Sequence, residues 1–177
     1  AQQFPIDDLF VKPRFLTTPK KDEKSQALKM DEFLSCVFRA VVLGNPGGGK
    51  STFTKKLCHD LANQYSKRLF AGREQLTPIL IILREYGADK KDRQCSILEF
   101  IETEVKATYQ LTTPPLHAFE YLLLNGRALV IFDGLDELLD TSYRQEIRSD
   151  VESFCHLYPS VPILVTSREV GYEQAPI

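Results

Sequence analysis

Four short apolar runs punctuate the chain, separated by stretches in which apolar residues recur at helical spacing. The runs Arg39–Leu43, Pro78–Leu83, Ala128–Phe132 and Val161–Thr166 are predicted as strands. The Ile-rich second run reads as a strand buried on both faces. Between them, Thr52–Arg68 aligns Phe53, Leu57 and Leu61 on one stripe. Ser96–Tyr109 aligns Ile97, Phe100, Ile101 and Val105 behind a Ser96 cap. Pro114–Leu124, closed by Asn125-Gly126, and Thr141–Leu157 complete the predicted helices. Strands alternating with helices imply βαβ crossovers and a parallel sheet covered on both sides. The predicted class is α/β.

Residues 1–38 read as a lead-in to a domain spanning 39–177. Phe4 to Phe15 is apolar but broken by Pro5 and Pro13, which predicts an extended strap lying on the domain. Lys20 to Ser25 is a charged, mobile loop by composition. From Ala27 to Val37, Leu28, Met30, Phe33, Leu34 and Val37 carry helical spacing and predict a short helix.

Composition narrows the class further. The chain has 177 residues, 43% hydrophobic and 26% charged, with a formal net charge of −2. A chain of this length buries roughly 70% of its unfolded surface, enough for one domain with a substantial core. The near-neutral balance argues against a nucleic-acid or membrane surface. No apolar stretch approaches the ~20 residues needed to span a bilayer, and no signal peptide is visible. Cys36, Cys58, Cys95 and Cys155 are scattered without a C-x-x-C pair, as expected of reduced thiols in a cytoplasmic protein. The three histidines form no ligand cluster, so a metal site built from protein ligands alone is not expected. The start at Ala1 and the stop at Ile177, just past the fourth strand, read as a piece cut from a longer protein.

The chemistry begins at the tip of the first strand. Gly44-Asn45-Pro46-Gly47-Gly48-Gly49-Lys50-Ser51-Thr52 fits G-x-x-x-x-G-K-[ST] and stands between a strand and a helix, where that motif belongs. Its glycines let successive N–H groups curl inward around phosphate oxygens, reinforced by the positive end of the following helix. Lys50 is expected to reach the β- and γ-phosphates and the Ser51 hydroxyl to hold Mg²⁺.

The third strand runs into Asp133-Gly134-Leu135-Asp136-Glu137. Carboxylates at the carboxyl ends of parallel strands stand where open α/β sheets collect ligands. Asp133 is expected to bind Mg²⁺ through water and to accept from Ser51, while Asp136 or Glu137 orients a hydrolytic water. The fourth strand ends in Thr166-Ser167-Arg168-Glu169, and the Arg168 fork suits a group that reads a γ-phosphate. Arg84, ending the second strand, is a further candidate.

Together, GNPGGGKST at 44–52, LVIFDGLDEL at 129–138 and ILVTSRE at 163–169 resemble the NACHT family of signal-transducing P-loop NTPases, within the STAND group. Gly134 after the strand-end Asp, with acids at 136 and 137, separates the pattern from AAA+ and helicase relatives. Val170 to Pro176 and the Phe10-Val11-Lys12-Pro13 lead-in are similar to bacterial members. The resemblance implies a three-layer core with strand order 5-1-4-3-2, ending here before the fifth strand, the lid and the winged-helix domain. It implies ATP or ADP with Mg²⁺, and Phe10, Val11 and Pro13 as adenine contacts. It also implies a switch: closed with ADP, self-assembling with ATP, in phage defence or innate immunity.

A slowly hydrolysing ATPase switch is thus the leading expectation. A non-catalytic module that binds nucleotide structurally is the alternative. A small-molecule kinase lacks any sequence feature for a lid or an acceptor pocket.

Overall fold

A computed structural model describes residues 10–17, 25–63, 70, 73, 75–110, 115–138 and 141–169. Strands β3 (Arg39–Leu43), β4 (Thr77–Ile82), β5 (Ala128–Asp133) and β6 (Ile163–Ser167) form one parallel sheet in the order β3-β6-β5-β4. β6 therefore lies between the strand that leads into the phosphate loop and the strand that ends in Asp133. The order agrees with the first four strands of the implied topology; its fifth strand is not among the described residues.

The alternation of side chains along β5 explains the three layers. Leu129 and Ile131 face one core with Met30, Leu34, Phe53 and Leu57, while Val130 and Phe132 face the other with Tyr86, Phe100, Ile147 and Val151. Both faces need covering, so the strand is apolar at every position before its terminal Asp. Each large apolar side chain fully withdrawn from water contributes about 1.5–3 kcal/mol. The first core is covered by α1 (Met30–Cys36) and α2 (Lys50–Ala62). The second is covered by α3 (Leu83–Arg93), α4 (Ile97–Tyr109), α5 (Ala118–Leu124) and α6 (Thr141–Leu157). As predicted, Ser96 caps α4: its hydroxyl accepts from Glu99 N–H, and the Glu99 carboxylate accepts from Ser96 N–H at 2.7 Å.

Several expectations change. The helix expected over 27–37 begins only at Met30, because Ala27–Lys29 forms a strand, β2, antiparallel to β1 (Arg14–Leu16). Lys29 N–H donates to the Glu32 carboxylate at 2.8 Å, which fixes the later start. The second strand ends one residue earlier than expected, and α3 follows it without a loop. Helix α5 starts at Ala118 rather than in the proline segment, since His117 takes a left-handed conformation (φ 58°) and Ala118 N–H turns back to Pro115 O. Helix α2 is observed to Ala62. Residues 64–68 of the predicted helix, Pro114, most of the charged loop at 20–25, residues 4–9 of the strap and the 170–176 tail lie outside the described residues.

Candidate functional site

The segment between β3 and α2 turns on glycine. Gly47 (φ 73°) and Gly49 (φ 78°) occupy the left-handed region, and Gly49 is the N-cap of α2. At Gly48 a Cβ would lie 2.9 Å from Asn45 O, the acceptor of its own N–H, so no side chain fits. Phe53 N–H makes the first helical bond to Gly49 O at 2.8 Å, leaving the preceding amides of the helix start as donors. The Lys50 ammonium folds over the loop and donates to Gly44 O (2.6 Å) and Asn45 O (3.1 Å).

This loop closes one wall of a cavity of about 250 Å³. Residues 46–52 meet Asp133, Gly134, Asp136, Glu137, Thr166 and Arg168 around it. Sheet order explains the convergence: the carboxyl ends of β3, β6 and β5 are adjacent, and all three motifs follow them. Every residue expected to touch phosphate or metal from Pro46 onward borders this space. Gly44 and Asn45 sit behind it and hold Lys50.

Asp133 is 8% exposed, and one of its oxygens accepts from the Thr166 hydroxyl. Thr166 in turn accepts from Gly134 N–H at 3.0 Å. That oxygen is held by a neighbour across the ladder rather than by Ser51: Phe132 pairs with Val165, so the next residues face each other. Among the described residues the second Asp133 oxygen, Oδ2, has no protein donor, and it shares the cavity with the Ser51 hydroxyl. A hydroxyl and an uncommitted carboxylate oxygen are hard donors that suit Mg²⁺ completed by phosphate and water oxygens. Ser51 and Asp133 are the side chains that would hold Mg²⁺, which would there neutralise phosphate charge.

Beyond Asp133 the chain makes a single 3₁₀ turn, Leu135–Glu137. Gly134 has φ 83°, and a Cβ there would lie 3.2 Å from Glu137 Cδ, so glycine lets Glu137 fold back over the turn. The Asp136 side chain is 7% exposed and pairs with Arg168 at 2.8 Å. Glu137 is 40% exposed, its carboxylate 3.5 Å from Arg84 Nη1. Arg84 does not end a strand. It lies in the first turn of α3, because the helix starts at Leu83, and it does not line the cavity.

A second cavity, about 490 Å³, adjoins the loop on the side of β3. It is lined by Pro13, Phe15, Phe33 and Phe53 beside Gly48, Gly49 and Lys50. Phe15 stacks on Phe33 (centroids 4.2 Å apart) and meets Phe53 edge-on at 5.2 Å. Of the three expected base contacts, only Pro13 reaches this cavity. Phe10 instead covers Met30, Leu34 and Leu57 in a separate recess, and Val11 is exposed. The physical reason is the β1–β2 pairing, which carries residues 13–17, rather than 10–11, past the loop. A larger, mainly apolar cavity of about 680 Å³ runs along β4 and contains none of the motif residues.

Sequence reasoning missed the hydroxyl of Thr166 as the partner of Asp133 and the aromatic lining of the second cavity. A hydroxyl ending an otherwise apolar strand is the signal for the first. Phe53, one turn into the helix after the loop, is a signal for the second.

Among the described residues no helix is long and apolar enough to cross a membrane. No curated protein and no solved structure matches the chain. The model of the NACHT domain matches residues 39–177, from the first residue of β3 onward. With the phosphate loop, the strand-end Asp133 and the Arg168 strand all inside that span, the chain belongs to the NACHT family of nucleotide-binding P-loop NTPases.

Proposed function

We propose that this chain is the ATP-binding, slowly hydrolysing core of a cytoplasmic signalling switch whose nucleotide state controls self-assembly, in a defence or innate-immune setting. The observation that carries the reading is the convergence of Lys50, Ser51, Asp133, Glu137 and Arg168 on one cavity at the phosphate loop. Amides of residues 47–52 and the Lys50 ammonium would hold the phosphates, Lys50 exchanging two carbonyl acceptors for phosphate oxygens. The aromatic cavity beside Gly48 and Gly49 is the candidate base site, and Phe15 offers a face for stacking.

Arg168 and Lys50 contact charge that ATP has and ADP lacks. Differential contact of this kind is what lets a ligand move a conformational equilibrium. Taking a population from 1:99 to 99:1 requires about 5.5 kcal/mol of preference. Several charge-assisted hydrogen bonds of about 1.5–3 kcal/mol each are of the right size. The free cysteines Cys36, Cys58, Cys95 and Cys155 support a reducing compartment.

The reading is tested by phosphate release from ATP in the presence of Mg²⁺. Slow turnover that Glu137→Gln abolishes while ATP binding persists supports a hydrolysing switch. Binding with no turnover in the wild-type chain, even at high protein concentration, favours the non-catalytic module instead.

A further inference from the structure

Two acidic residues stand side by side after β5, and the structure gives them different employment. Both oxygens of Asp136 are committed to one residue, Arg168. Oδ1 accepts from the Arg168 backbone N–H at 2.8 Å, and Oδ2 forms an ion pair with Arg168 Nε at 2.8 Å. A carboxylate bound this way, with its side chain 7% exposed, has little surface left on which to hold a water molecule. It does constrain a long side chain strongly. The clamp fixes the base of the arginine and one edge of its guanidinium, while the side chain as a whole stays 52% exposed. Among the described residues the terminal Nη1 and Nη2 have no other partner, so four of the five N–H donors remain for an anion.

Glu137 has the complementary character. It borders the same cavity, is 40% exposed, and has only Arg84, at 3.5 Å, as an ionic partner among the described residues. Its oxygens are open to water.

We propose that Asp136 is a positioning residue that presets Arg168 to read a γ-phosphate, and that orientation of the hydrolytic water falls to Glu137 alone. This rests on the nucleotide-binding reading of the cavity. It assigns separate tasks to adjacent carboxylates: one acts through an arginine, the other on water. The clamp is made by the chain's own residues, and holding a flexible side chain in this way is how it becomes selective for a fork of phosphate oxygens.

The test is calorimetric binding of Mg-ADP and of an ATP analogue with a β,γ-imido bridge. It compares the wild-type chain with Asp136→Ala, Asp136→Asn, Arg168→Ala and the double variant Asp136→Ala/Arg168→Ala. Arg168→Ala and Asp136→Ala are each expected to weaken the analogue by about tenfold to a hundredfold, with ADP affinity unchanged. Asp136→Asn, which keeps an acceptor for the Arg168 N–H, loses less and serves if the alanine variant does not fold. In the Arg168→Ala background, Asp136→Ala is expected to do nothing more, because its effect runs through the arginine. Phosphate release from Mg-ATP should be abolished by Glu137→Gln and only slowed by Asp136→Asn.

The proposal is overturned if Asp136→Ala keeps the analogue-to-ADP ratio, if it weakens both ligands equally, or if it adds a further loss without Arg168. Those outcomes leave nucleotide binding itself standing. A wild-type chain that binds neither ligand overturns the proposed function and this division of labour with it.

Discussion

The hydroxyl of Thr166 bridges two consecutive residues of the neighbouring strand end: it donates to the Asp133 carboxylate and accepts from Gly134 N–H at 3.0 Å. All of this is buried, so the bridge cannot be replaced by water without opening the sheet. Thr166→Val keeps shape but strands both partners. A stability loss of about 1–3 kcal/mol is expected, with weaker Mg²⁺-dependent nucleotide binding as Asp133 loses its fixed rotamer. Thr166→Ser should restore most of both. Thermal melting together with titration of Mg-ATP checks this; full binding by the valine variant would show that Asp133 needs no such support.

Gly134 permits the turn that brings Glu137 back over the site. Gly134→Ala places a Cβ at φ 83° and 3.2 Å from Glu137 Cδ. The left-handed conformation costs an L-residue about 1–2 kcal/mol, so the melting temperature should fall by roughly 2–8 °C. Because the displaced group is Glu137 rather than the phosphate loop, turnover should drop more than ATP affinity. Parallel measurement of kcat and KM on the alanine variant separates the two.

Burial, reinforced by the charge of Asp133, pushes the Cys58 thiol from 9.0 up to about 11. The native chain therefore keeps a proton that the unfolded chain gives up. The stability linked to Cys58 is fully present below pH 9 and is lost as pH rises towards 11. Asp133→Asn removes one of the two causes and should move the titration downward. Alkylation rates of Cys58, followed against pH by peptide mass spectrometry, report the thiolate directly. An ordinary thiol profile in the native wild-type chain would contradict the assignment.

The α3–α6 contact offers a prediction away from the site. The buried Tyr86 hydroxyl donates to Asp150 at 2.7 Å, and Lys90 meets the same carboxylate oxygen at 2.6 Å. Tyr86→Phe should cost about 1.5 kcal/mol, since Lys90 still satisfies Asp150. Nucleotide affinity should not change. A melting curve and one binding isotherm on the variant suffice, and a change in affinity would mean that α3 communicates with the loop.

What the sequence could and could not reveal divides along a physical line. Strands buried on both faces announce themselves, because a residue such as Val130 needs an apolar neighbour as much as Leu129 does. The phosphate loop was equally plain, since its glycines, lysine and serine are consecutive. Helix α3 was not readable as a helix. Its buried stripe is only Leu83, Tyr86 and Gly87 in a charged stretch, and Gly87 is there to admit Leu138 and Tyr143, 3.2 and 3.3 Å from where a Cβ would lie. The hairpin strand Ala27–Lys29 is set by its pairing with Arg14–Leu16 rather than by its own pattern. The Asp136–Arg168 clamp joins residues 32 positions apart, which meet because β5 and β6 are neighbours. Local pattern carries the elements and the loop; the partnerships inside the site come from topology.

The most direct trial of nucleotide capture by the loop at 44–52 is the melting temperature of the wild-type chain and of Lys50→Ala, each with and without Mg-ATP. A ligand at a thousandfold excess over its Kd adds about 4.1 kcal/mol to the native state. The wild-type chain should therefore melt several degrees higher with nucleotide, while the Lys50→Ala transition stays where it was. An equal rise in both proteins would place the nucleotide somewhere other than the cavity lined by Gly47, Lys50 and Asp133.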